Sequence, residues 1–105
     1  MFKPITSFDE LVKESEGQPV LVYKHSATCG KSTRAQKQVE SYLINYSKDA
    51  YRLVVHDERP LSNEIAEVLQ IKHETPQLIA LSKGKPLFVL NHDNVTLSNL
   101  EELLR

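Results

Sequence analysis

Val20-Leu21-Val22-Tyr23 runs apolar with no polar residue between, and this short segment sharply limits what the chain can become. A strand that faces water on one side alternates apolar and polar residues. One that does not alternate is buried on both faces, and such strands belong to sheets covered by helices on both sides. Helical segments flank the run. Upstream, Ser7 and Glu10 form a capping-box pattern, Phe8, Leu11 and Val12 take helical spacing, and Gly17 closes the segment. Downstream, a short loop over Lys24 to Thr28 leads to Cys29. Ala35, Val39, Tyr42, Leu43 and Tyr46 then hold one face of an amphipathic helix of about four or five turns.

The alternation continues. Tyr51 to Asp57 is a second strand candidate, and Ile65, Val68 and Leu69 mark a helix after Arg59-Pro60. Thr75-Pro76 breaks the chain before a third strand, Leu78 to Leu81. Ser82-Lys83-Gly84-Lys85 is a turn, and Leu87 to Leu90 completes a hairpin. A last helix carries Leu97, Leu100, Leu103 and Leu104, capped by Thr96 or by a Ser98/Glu101 pair. The order is α-β-α-β-α-β-β-α, with a further short strand candidate around Lys3 to Thr6. The βαβ unit requires a parallel pair, and the hairpin adds an antiparallel edge. The pattern predicts an α/β, thioredoxin-like fold: a mixed four- or five-stranded sheet flanked by four helices. With 105 residues there is room for one such domain, over 1–105, and not for two.

Composition closes off other classes. Apolar residues are 40% and charged residues 26%, a globular balance. No apolar run approaches the ~20 residues of a membrane span, and the first residues lack the apolar region of a secretory signal. A net charge of −1 gives no general drive toward nucleic acid or anionic lipid. The expectation is a soluble, cytoplasmic protein with neither nucleic-acid nor membrane partners.

There is one cysteine, Cys29. No internal disulfide can form, and Cys-rich zinc patterns are excluded. Cys29 falls where the buried strand meets the long helix. The first N–H groups of a helix have no partner within it, and with the helix dipole they favour thiolate over thiol. The commonest fate of a free cysteine is a small core residue. Against that, Ser26, Ala27, Thr28, Gly30, Lys31 and Ser32 are small or polar, whereas a core cysteine usually sits in an apolar run. Cys29 is therefore the expected nucleophile. Lys31 and Arg34 oppose the helix dipole. They are either solvated surface charges or they face an anion, the thiolate or an anionic ligand.

Ser32 stands where a dithiol oxidoreductase carries the second sulfur of Cys-x-x-Cys. A hydroxyl can hydrogen-bond a thiolate but cannot take part in disulfide exchange. A mixed disulfide on Cys29 must then be resolved by an external thiol. X-Pro bonds are the one common site of cis peptides, and a trans proline in a loop is their default. The expected fold reverses that default at Thr75-Pro76: its proline before the third core strand is cis and faces the cysteine. The Thr75 backbone is then open to an extended partner segment. His25 and His73 are candidates for proton transfer beside the thiolate, while His56 and His92 read as surface or strand-end residues. No spacing joins them to Cys29 as a recognisable metal motif, so no metal is expected. Gly30-Lys31-Ser32 also ends a P-loop signature, but the signature's first glycine falls on His25, which cannot curl around phosphate as glycine does.

These residues resemble the monothiol bacilliredoxin family, redox proteins of the bacillithiol system within the thioredoxin-like superfamily. The likeness covers nearly the whole chain. It is carried by Pro19-Val20-Leu21-Val22-Tyr23-Lys24-His25-Ser26, Thr28-Cys29, Arg59-Pro60-Leu61-Ser62-Asn63-Glu64-Ile65-Ala66 and Lys72-His73-Glu74-Thr75-Pro76-Gln77. Where the family commonly has Thr-Cys-Pro-Ile-Ser, this chain has Thr28-Cys29-Gly30-Lys31-Ser32, and the tryptophan usual near the last hairpin is missing. Cys-Gly-x-Ser is also similar to monothiol glutaredoxins, which keeps an iron–sulfur carrier as an alternative, beside a non-catalytic adaptor. The resemblance implies a monothiol disulfide reductase of the stress response, with Cys29 catalytic and no resident cofactor. Bacillithiol would be its low-molecular-weight co-substrate and S-thiolated proteins its clients. Thr28, Gly30, Lys31, Ser32, Arg34, Thr75 and Pro76 are the expected substrate-binding residues. Bacillithiol is anionic, so Lys31, Arg34 and Lys24 are the cations available to its carboxylates.

Overall fold

In the computed structural model, which describes all 105 residues, the apolar run lies at the centre of a five-stranded sheet. The elements are β1 (Phe2–Pro4), α1 (Phe8–Ser15), β2 (Val20–His25), α2 (Gly30–Tyr46), β3 (Ala50–Val54), α3 (Arg59–Leu69), β4 (Gln77–Ser82) and β5 (Lys85–Asn91). A 3-10 turn (His92–Asn94) and α4 (Leu97–Leu103) complete the chain. The strand order is β1-β3-β2-β4-β5. β3 runs parallel to β1 and β2, and β4 runs antiparallel to β2 and β5. This is the thioredoxin fold. No helix is long and apolar enough to cross a membrane.

The two-sided burial of β2 follows from its alternation between two apolar clusters. Leu21 and Tyr23 pack with Ala35, Val39 and Leu43 of α2 and Leu100 of α4. Val20 and Val22 pack on the other face with Phe8 and Leu11 of α1 and Ile65 of α3. The caps follow the sequence. The Ser7 hydroxyl accepts from the Glu10 amide at 3.2 Å. Thr96, rather than the Ser98/Glu101 pair, caps α4 by accepting from the Asn99 amide at 3.1 Å.

Some boundaries move. Lys24 and His25 belong to β2, not to the loop after it, because Lys24 pairs with Leu53 and Gln77 and His25 pairs with Val54. The next strand stops at Val54, since the amides of Asp57 and Glu58 turn back onto the Val54 carbonyl. The 3-10 turn after β5 has no counterpart in the expected pattern. The peptide Thr75-Pro76 is cis.

Candidate active site

β2 delivers the chain to the start of α2, and β4, antiparallel to it, begins at the same end of the sheet. The pairing of Lys24 with Gln77 therefore sets the Thr75-Pro76 bend beside the loop that carries Cys29. Pro76 is buried and Thr75 half-buried. Cys29 is the N-cap of α2, with extended backbone and a half-exposed thiol. Its carbonyl accepts from the Ser32 and Thr33 amides at 3.1 and 3.3 Å, which starts the helix. No first-turn amide closes a full capping hydrogen bond onto Sγ. The Ser32 and Lys31 amides nonetheless face it, and they hold the thiol below its ordinary pKa. Desolvation opposes them, less strongly than either amide acts, and the Ser32 hydroxyl and the Lys31 charge add smaller lowering contributions.

Ser32 is fully buried, and its hydroxyl oxygen accepts from the Ser26 amide at 3.2 Å. Its proton remains available to the sulfur. Below it, the buried Tyr23 hydroxyl donates to the Ser32 carbonyl at 2.8 Å and meets His25 Nδ1 at 3.2 Å. A phenol has one proton. With that proton on the Ser32 carbonyl, His25 must donate from Nδ1, which leaves Nε2 as an acceptor. Burial, then the nearby Arg52 charge, pull the pKa of His25 down, in keeping with a neutral ring. Burial raises the Tyr23 phenol well above its ordinary range, and the nearby Cys29 charge pushes the same way.

Of the other expected residues, Thr28 is exposed, with its hydroxyl 3.4 Å from that of Ser26. Gly30 is exposed, and a methyl group placed on it would meet nothing within 4 Å. Lys31 and Arg34 project into solvent and share one carboxylate: Lys31 Nζ lies 3.8 Å and Arg34 Nη1 4.0 Å from Asp93.

Lys24 does not join them. It points to the opposite face of the sheet, fully buried, and donates to the Ser62 carbonyl at 3.1 Å and to His73 Nδ1 at 3.3 Å. It cannot bind a carboxylate arriving from solvent. His73 Nδ1 takes these bonds on the α1/α3 face, with the Ser62 hydroxyl at 3.4 Å. The four histidines and Cys29 bring no three metal-donor residues together. His92 is more than a strand-end residue. Its amide donates to the Pro76 carbonyl at 2.8 Å and its Nε2 meets Glu74 at 2.9 Å, bracing the bend. His56 Nε2 lies 3.5 Å from the Ser26 hydroxyl.

Sequence reading missed Tyr23, Asp93, His92 and Glu74 as parts of this site. Tyr23 reads as ordinary core until the Ser32 carbonyl is seen above it. The others come from segments far from Cys29 in the chain.

A thioredoxin-fold sheet that presents one half-exposed cysteine at a helix N-cap, with serine in place of a second sulfur, defines a monothiol thiol oxidoreductase. Residues 2–100 match the family described as monothiol bacilliredoxin BrxC, and the chain belongs to that family. Among solved structures, it is similar to a protein described as having a thioredoxin fold. The identity there is 31% over 99% of this chain and 94% of that one, with a TM-score of 0.89. Two thioredoxins share the fold at lower identity. That of Fasciola hepatica is 13% identical, with TM-score 0.75, over 95% of this chain and 93% of that chain. Oxidised thioredoxin O2 of Arabidopsis thaliana is 21% identical, with TM-score 0.73, over 99% and 95%.

Proposed function

We propose that this protein reduces mixed disulfides between cytoplasmic proteins and bacillithiol as part of a thiol-stress response. The observation that carries the reading is the lone Cys29 sulfur, half-exposed and held toward thiolate, with a buried hydroxyl at the position of a resolving thiol. The Cys29 thiolate attacks the bacillithiol sulfur of the client's mixed disulfide. The bond between that sulfur and the client's sulfur breaks, and the client leaves as a thiolate that takes a proton from water. Cys29 now carries bacillithiol as a new disulfide. A second bacillithiol thiolate attacks the bound bacillithiol sulfur, frees Cys29 and leaves as bacillithiol disulfide. The two electrons come from the two bacillithiol molecules, so the cycle needs no resident cofactor.

Each expected residue has a task in this scheme. The Ser32 amide and hydroxyl, with the Lys31 amide, stabilise Cys29 as nucleophile and as leaving group. Thr28 and Gly30 border the approach to the sulfur. The Thr75 backbone, next to Pro76, pairs with an extended client segment. Lys31 and Arg34 receive the carboxylates of bacillithiol.

Intact-mass spectrometry tests this with one client carrying bacillithiol, glutathione or coenzyme A adducts in parallel. The adduct should move to Cys29, fastest from bacillithiol, and Cys29→Ser should be inert. Equal stripping of the client by Cys29→Ser refutes the reading.

A further inference from the structure

The start of α2 gathers more positive charge than its surroundings balance. Lys31 and Arg34 sit in its first turns, no acidic residue accompanies them there, and the helix dipole adds partial positive charge of its own. The one carboxylate that reaches them comes from another element, the 3-10 turn after β5. Asp93 lies at 3.8 and 4.0 Å from the two cations, the outer limit of ion-pair contact, and all three side chains are more than half exposed. Such pairs are weak and exchange readily with solutes.

The position of Asp93 is nonetheless held. The preceding His92 adopts a left-handed backbone with φ 51, uncommon for a residue with a side chain. It is tied to the bend by the 2.8 Å bond from its amide to the Pro76 carbonyl and by the 2.9 Å contact with Glu74. The fold thus keeps a loosely paired carboxylate in the place where an anionic small thiol would set its own.

We propose that Asp93 determines the charge selectivity of the Cys29 site, competing with the carboxylates of the incoming low-molecular-weight thiol for Lys31 and Arg34. This rests on the mixed-disulfide reading above and concerns which adducts are taken, not the chemistry at sulfur. An anionic adduct must displace Asp93 from the cations. A neutral adduct does not engage them. A cationic adduct is drawn by Asp93 itself.

The test uses one neutral peptide carrying three mixed disulfides in turn: glutathione (anionic), 2-mercaptoethanol (neutral) and cysteamine (cationic). Single-turnover transfer to Cys29 is followed by intact mass in the wild type, Asp93→Asn and Asp93→Glu. Removing one unit charge beside the adduct, in water, predicts that Asp93→Asn speeds the anionic adduct about two- to threefold, slows the cationic one similarly and leaves the neutral one unchanged. Asp93→Glu should keep the wild-type pattern. In about 1 M salt, where the screening length is about 3 Å, the differences should vanish. A uniform change across the three adducts would mean that Asp93 acts through the sulfur or the fold, and it would overturn the proposal, as would no change at all. If no adduct reaches Cys29 from any peptide, the mixed-disulfide reading itself fails.

Discussion

Lys24 gives a prediction that can be worked through in numbers. Its side chain is fully buried, and burial lowers its pKa from the usual 10.5 to about 8. That fall corresponds to roughly 3 kcal/mol of destabilisation while the group is charged in the folded state. Below pH 8 the folded protein carries the whole penalty. Between pH 8 and 10.5 the folded Lys24 has released its proton while the unfolded one retains it. The unfolded state then binds more protons, so stability rises with pH across that window. Lys24→Met keeps the length of the chain and removes the charge. It also removes the bonds to the Ser62 carbonyl and His73, a loss of about 1–2 kcal/mol that offsets part of the gain. At pH 7 the variant should be more stable than the wild type by about 1–2 kcal/mol. The advantage should shrink to nothing or reverse near pH 10. Urea denaturation of both proteins at several pH values measures it, the difference between them cancelling all other titrations. Parallel curves would refute the burial argument, and so would an advantage that grows with pH.

Gly30 opens α2, and a methyl group placed there meets nothing within 4 Å. Gly30→Ala should therefore raise stability by about 0.5 kcal/mol by restricting the unfolded chain; a lower urea midpoint would contradict this. Ser32→Cys should restore internal resolution. After reaction with a bacillithiolated peptide, intact mass should show a Cys29 disulfide within the chain, two hydrogens lighter, in place of the retained adduct. An adduct that persists as in the wild type would count against the role given to Ser32. The same substitution weakens the acceptor for the Ser26 amide and should cost about 1 kcal/mol of stability.

The arrangement of elements was legible because it rests on local pattern. Val20 to Tyr23 lacks alternation, and the strand is indeed packed between two clusters. Ser7 and Thr96 cap helices through bonds that span three residues, which a sequence displays directly. The position of Cys29 at the mouth of α2 follows from the same reading. Misreadings arise where a distant partner overrides local preference. A lysine after an apolar run looks like the start of a loop. Lys24 stays in β2 because its backbone pairs with Leu53 and Gln77 and its side chain meets Ser62 and His73, all far along the chain. His92 reads as a surface or strand-end residue, and Asp93 shows no signal at all, for the same reason: their partners, Lys31, Arg34, Glu74 and Pro76, come from two other segments. The tautomer of His25 follows only from counting protons around Tyr23.

Attack by this protein on a mixed disulfide depends on the ionisation of Cys29. Ultraviolet thiolate absorbance followed against pH, with Cys29→Ser subtracted to remove the tyrosines, reads it directly. The midpoint should fall clearly below the ~8.5 of an unperturbed cysteine, and Ser32→Ala should move it back up. A midpoint at or above the ordinary value would contradict the claim that the start of α2 holds this sulfur ready to attack.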